Sequence, residues 1–168
     1  MFLIPHSKKF FEILVRNLIF GAEDSLVSTV GMLSGIALAG VGRADLILAG
    51  VVLIFVEAFS MAAGSFLSER STEEYVDGRD LPLRYPLLGG LIMFVSYFIS
   101  GFIPLFPYFI VEISSAFQTS VVLSLIALFL LGAISAKRFN AKPVRSGMRM
   151  LIIGGLAVAL GILVGNIF

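Results

Sequence analysis

The sequence predicts an all-α polytopic membrane protein, with five transmembrane helices and a homodimeric assembly. Hydrophobic residues make up 58% of the chain and charged residues 14%, and the mean hydropathy is +1.04, outside the range of a soluble domain. Five uninterrupted apolar runs, 14–39, 46–67, 85–104, 108–135 and 148–167, are each long enough to cross a hydrocarbon core of about 30 Å as a helix. None alternates apolar with polar residues as a barrel strand must, so helices are the remaining way to satisfy the backbone in lipid.

Taken in order, residues 1–13, "MFLIPHSKKFFEI", mix Phe and Ile with Lys and read as an interfacial helix leading into the first span. Lys8 and Lys9 precede an apolar run too long for a signal-peptide core, without a convincing small-residue cleavage site, so retention of the start is expected. The five spans follow with short connections, and 1–168 reads as a single transmembrane helical domain. The chain has no cysteine, which excludes disulfides, thiolate metal sites and a Cys nucleophile.

Orientation follows from the basic residues. Of the twelve, Lys8, Lys9, Arg16, Arg70, Arg79, Arg84, Lys137, Arg138, Lys142, Arg145 and Arg149 fall on one side, and Arg43 alone on the other. The positive-inside rule makes the crowded side cytoplasmic, with the N-terminus inside and Phe168 outside. The net charge of +1 gives no reason to expect nucleic acid as a partner.

Against this background the stretch "GAEDSLVSTVGMLSG", residues 21–35, is anomalous. An ionised carboxylate near the bilayer centre costs about 2.5–3.5 kcal/mol on insertion scales. Asp24 lies well inside the first span, and Glu57, about 17 Å beyond Leu46 at 1.5 Å per residue, is close to the midplane. No Lys or Arg occurs deep within a span to neutralise them, which leaves protons and cations. On a helix Asp24 shares its face with Gly21, Ser28, Gly31, Met32 and Gly35, a small and polar stripe. Glu57 shares its face with Ser60, Met61 and Gly64, which offers one hard and one soft ligand. Glu23 shares its face with Phe20, Val27 and Val30 instead. The competing structural account is a protonated acid, hydrogen-bonded to Ser or to a backbone carbonyl, that fixes helix register.

Small-residue spacing recurs as Gly31-x-x-x-Gly35, Ser60-x-x-x-Gly64 and Gly161-x-x-x-Gly165. This pattern lets membrane helices approach closely, either within one chain or between two. A dimer would place two sets of acids about one axis. Catalytic alternatives lack their residues: the only histidine, His6, precedes the first span, one intramembrane Asp cannot make an aspartyl dyad, and no phosphate-binding loop is present. No enzyme is expected. A passive oligomeric divalent-cation channel is the main competitor to a coupled transporter, and a purely structural bundle is the third possibility.

The segments "GAEDSLVSTVGMLSGIALAG", "VEAFSMAAGSFLSERS", "SGFIPLFPY" and "LFLLGAISAKRF" with the Gly-rich last run resemble the vacuolar iron transporter family of ferrous and manganous ion transporters, from about Arg16 to the C-terminus. The resemblance implies a five-helix dimer with the ion path at the subunit interface, moving divalent metal out of the cytosol against protons. By motif position Asp24, Glu57 and Met61 would be path ligands, with Glu23 beside them. It also implies a cell membrane location in a prokaryote and a vacuolar-type membrane in a eukaryote. Three positions depart from the family pattern: Asn17 where many members carry Asp, Ser25 in place of the usual Gly, and Glu23 where a neutral residue is common.

Where many relatives insert a cytoplasmic metal-binding domain between helices two and three, this chain has only "ERSTEEYVDGRDLPLR", residues 69–84, and so looks like a short form. Glu69, Glu73, Asp77 and Asp80, with Glu74 beside them, would line one side of a continuing helix and could capture cations at the mouth; an ordinary solvated loop balanced by Arg70, Arg79 and Arg84 is the alternative. Glu112, early in the fourth span, is read as a favourable helix-dipole partner rather than an exit site. Carboxylate plus thioether suits Fe²⁺, Mn²⁺, Co²⁺ or Zn²⁺ better than Mg²⁺ or Ca²⁺. Fe²⁺ or Mn²⁺ is expected as transported substrate, with no tightly bound cofactor.

Overall fold

In a computed structural model, which describes residues 6–72, 75, 83–138 and 141–167 with side chains from Phe10 onward, every regular element is helical. The order is α1 (His6–Leu38), α2 (Arg43–Thr72), α3 (Arg84–Leu105), a short α4 (Pro107–Ile110), α5 (Ile113–Arg138) and α6 (Pro143–Gly165). The expected interfacial segment and first span are therefore one continuous helix from His6 onward. The expected fourth span starts later, because Val111 is extended (φ −121°, ψ 166°) and ends the Pro107 turn. The Glu112 carbonyl then accepts the Ala116 N–H at 2.8 Å, which places this acid at the entry to α5.

The five-span expectation is met only in part. Among the described residues four helices, α2, α3, α5 and α6, are long and apolar enough to cross a membrane. At 33 residues α1 does not lack length; it lacks apolarity, because Glu12, Arg16, Glu23 and Asp24 interrupt it. Its position in the bundle accounts for the difference. α1 packs against each of the other four long helices, and Asn17, Ser25, Leu26, Thr29, Val30, Leu33 and Ser34 are buried. The helix that carries Glu23 and Asp24 is the one in contact with all the other long helices, whereas large outward side chains on the others, such as Val56, Phe59, Ile99, Ile134 and Leu160, are exposed as lipid-facing residues are.

Small residues let α1 sit at the centre. A Cβ on Gly35 would stand 2.8 Å from the Gly161 carbonyl oxygen, and one on Gly31 would stand 3.1 Å from that of Ala157. The Gly31/Gly35 and Gly161/Gly165 pairs therefore meet each other inside one chain. On α3, Ser96 Oγ donates to the Leu18 carbonyl at 2.6 Å, and Ser25 Oγ donates from α1 to the Tyr97 carbonyl at 2.6 Å. Such bonds suit an apolar solvent, where a lone hydroxyl finds no water.

At the end of the bundle that holds the α1–α2 turn, Leu33, Leu46, Ile54, Leu105, Tyr108 and Ala116 form the apolar core. Gly40 makes the turn with φ +74°, a conformation that favours glycine. Arg43 Nε then donates to the Tyr108 carbonyl at 2.7 Å and ties the start of α2 to α4. Pro104 lies inside α3 and its carbonyl accepts from Ser120 Oγ of α5 at 2.6 Å.

Candidate ion-binding site

Asp24 on α1 and Glu57 on α2 come from different helices that pack against each other. Both are half-buried, as is Met61, one turn beyond Glu57 on α2. Glu23 is half-buried beside Asp24, with Phe20 of its own face exposed and Val30 buried. Carboxylates side by side away from bulk water repel, and a cation between them relieves that repulsion.

A residue absent from the sequence reading completes the arrangement. Tyr97 of α3 is fully buried, and its hydroxyl lies 2.7 Å from Ser28 Oγ, one helical turn after Asp24. The available signal was a phenol in the apolar run "LIMFVSYFISG", a polar tip that needs a partner once buried. Periodicity on one helix cannot say that this partner lies on α1.

The stripe on the Asp24 face is shared among several neighbours. Gly21 faces Met93 and Ser96 of α3, Ser28 meets Tyr97, and Gly31 and Gly35 meet α6. Positions seven apart drift by about 20° around an α-helix, so a long stripe cannot address one partner throughout. Beside it runs an open, mainly apolar groove of about 520 Å³ between α1 and α6, with Ser28, Met32, Leu160 and Val164 among its walls.

The Glu57 face is different. Ser60 and Gly64 are exposed, and a Cβ on Gly64 would meet nothing within 4 Å. Of the packing glycines expected from the sequence, Gly31 and Gly35 pack within the chain, whereas Gly64 opens outward beside the acid.

At the other end of the lane Glu69 is buried and forms an ion pair with Arg16 of α1. Nearby, Ser65 Oγ donates to Asn17 Oδ1 at 3.1 Å, while the buried Asn17 amide nitrogen has no partner. The other proposed capture residues, Glu73, Glu74, Asp77 and Asp80, lie outside the described residues. Among the described residues, no group of three or more His, Cys, Asp and Glu side chains is arranged to hold a metal ion.

A sequence profile of the VIT family matches residues 15–80 and 76–166. The chain belongs to the VIT family. This VIT-family chain is 28% identical over 159 residues to Vacuolar iron transporter homolog 2 of Arabidopsis thaliana, spanning 87% of the chain and 80% of that relative. It is 23% identical over 220 residues to Vacuolar iron transporter of Plasmodium berghei (strain Anka), spanning 90% and 81%. With Vacuolar iron transporter 1 of Arabidopsis thaliana it shares 38% identity over 66 residues, 39% of the chain but only 26% of that relative. Members of the VIT family are transporters rather than enzymes.

Proposed function

We propose that this VIT-family protein carries divalent transition-metal ions, Fe²⁺ or Mn²⁺, out of the cytosol in exchange for protons. The observation that supports this most is a half-buried Asp24 on the helix that packs against all four other long helices, with a half-buried Glu57 on neighbouring α2 beside a face left uncovered at Ser60 and Gly64. In a bilayer an acid beside an uncovered helix face needs a cover. A second copy is the cover proposed here: two-fold symmetry would set two Asp24, two Glu57 and two Met61 about one axis and complete the ligand set that one protomer lacks. α1 is then a fifth crossing helix, sheltered by the other four, with the N-terminus cytoplasmic and the C-terminus outside. Glu23 adds negative potential beside Asp24. The relatives' names as iron transporters agree with this cargo.

The mechanism uses the chain's own groups. Carboxylate oxygens from α1 and α2 take the ion, and the Met61 sulfur favours borderline ions over Mg²⁺ and Ca²⁺. Protons taken up by the same oxygens displace the ion, since a protonated carboxyl ligates poorly. The test is uptake of Fe²⁺, Mn²⁺, Co²⁺ and Zn²⁺ by the purified chain in proteoliposomes, with and without a pH gradient. Uptake driven by the gradient supports exchange. Conduction indifferent to it would favour the passive channel, and no uptake of any metal would end the proposal.

A further inference from the structure

We propose that the turn end of the α5–α6 hairpin binds the headgroup of an anionic phospholipid, with Arg145 and Arg149 as its main contacts. From Ile113 to Phe168 the sequence carries five basic residues, Lys137, Arg138, Lys142, Arg145 and Arg149, and no acidic one. Elsewhere three arginines are engaged by the chain itself: Arg16 by Glu69, Arg43 by the Tyr108 carbonyl, and Arg84 by the ring and hydroxyl of Tyr85. The five on the hairpin are exposed, and among the described residues none of them forms an ion pair or a side-chain hydrogen bond. The hairpin holds them together. The Ala141 N–H closes the turn on the Ala136 carbonyl at 2.9 Å, and a Cβ on Gly132 of α5 would stand 2.8 Å from the Ser146 carbonyl oxygen of α6. Charge alone would suit any phosphate; the surface beside the charge selects a lipid. Arg145 and Arg149 head a stripe of α6 that continues through Ile152, Leu156 and Leu160, all exposed, and Arg138 heads a similar stripe of α5 through Ile134 and Leu130. Cations at the ends of outward apolar stripes match a phospholipid, whose anion lies at the membrane surface with its acyl chains alongside. Arg149 follows Lys142 by seven residues, about 10 Å along the helix, so its side chain must reach back toward the headgroups. Positive-inside sorting asks for basic residues on one side of the membrane, not for their concentration without acids on one hairpin. This inference is independent of the ion site.

The experiment compares spin-labelled phosphatidylglycerol with spin-labelled phosphatidylcholine around the purified full chain in phosphatidylcholine bilayers. The motionally restricted fraction should be larger for phosphatidylglycerol. Replacing both arginines, Arg145→Gln with Arg149→Gln, should lower that preference by up to roughly fivefold for each arginine, the scale of one basic residue at an anionic surface. Lys8→Gln with Lys9→Gln removes the same charge elsewhere on that side and should leave the preference in place. Equal restriction of the two lipids by the parent chain overturns the proposal, whether or not the variants fold. An equal loss in the Lys8 and Lys9 variant would assign the preference to overall charge. Loss of the preference on adding inorganic phosphate at constant ionic strength would assign the patch to a soluble anion. Either result overturns the lipid site.

Discussion

Gly35 of α1 faces the backbone of Gly161 on α6 so closely that a Cβ on Gly35 would stand 2.8 Å from the Gly161 carbonyl oxygen. Backbone cannot swing aside as a flexible side chain can. Gly35→Ala should therefore separate α1 from α6 and lower stability by about 1–3 kcal/mol, the usual scale of overpacking. Thermal unfolding in detergent, followed by circular dichroism, checks this.

Gly64 gives the contrasting case, because it is exposed and meets nothing in its own chain. Gly64→Ala should keep or slightly raise protomer stability, since alanine is favoured over glycine within a helix by about 1 kcal/mol. Gly64→Leu should instead shift dimer to monomer, read by light scattering or crosslinking in membranes. An unchanged dimer would place the interface on another face.

Glu57→Gln and Met61→Ala should impair transport by different routes. The first removes charge at nearly constant volume and should nearly abolish uptake of every divalent metal while the fold persists. The second removes only the soft donor and should weaken Fe²⁺ uptake more than Mn²⁺ uptake, because manganese relies more on oxygen ligands. Uptake unchanged in Glu57→Gln, at matched protein levels, would sink the site.

The ion pair between Arg16 and Glu69 is lopsided: the arginine side chain is 58% exposed and the glutamate 8%. Arg16→Gln strands a buried carboxylate and should cost about 1–3 kcal/mol, whereas Glu69→Gln frees an already solvated guanidinium and should cost about 1 kcal/mol or less. Paired melting curves decide the order. Since Arg16 already engages Glu69, its removal should disturb metal capture less than removal of Glu73 and Glu74 together.

Eleven of the twelve basic residues are assigned to the cytoplasmic side, so a reporter fused after Phe168 should be found on the opposite side. A cytoplasmic reporter would mean an even number of crossings, with α1 outside the count.

The solvent, the all-helical class and the approximate place of every long helix were legible in the amino-acid sequence, because each depends on composition and uninterrupted apolar length along the chain. The anomaly of Asp24 and Glu57 was legible as well, since charge in an apolar run is costly wherever the helix sits. Tertiary structure decided who meets whom. It joined the Gly31/Gly35 pair to the Gly161/Gly165 pair within one chain and left Gly64 open, although all three motifs look alike in sequence. It brought Tyr97 to Ser28 and Glu69 to Arg16, and it put the least apolar long helix at the centre of the bundle. The physical reason is that helical periodicity specifies which side chains share a face, whereas the neighbour that covers that face depends on how separate helices are arranged around it.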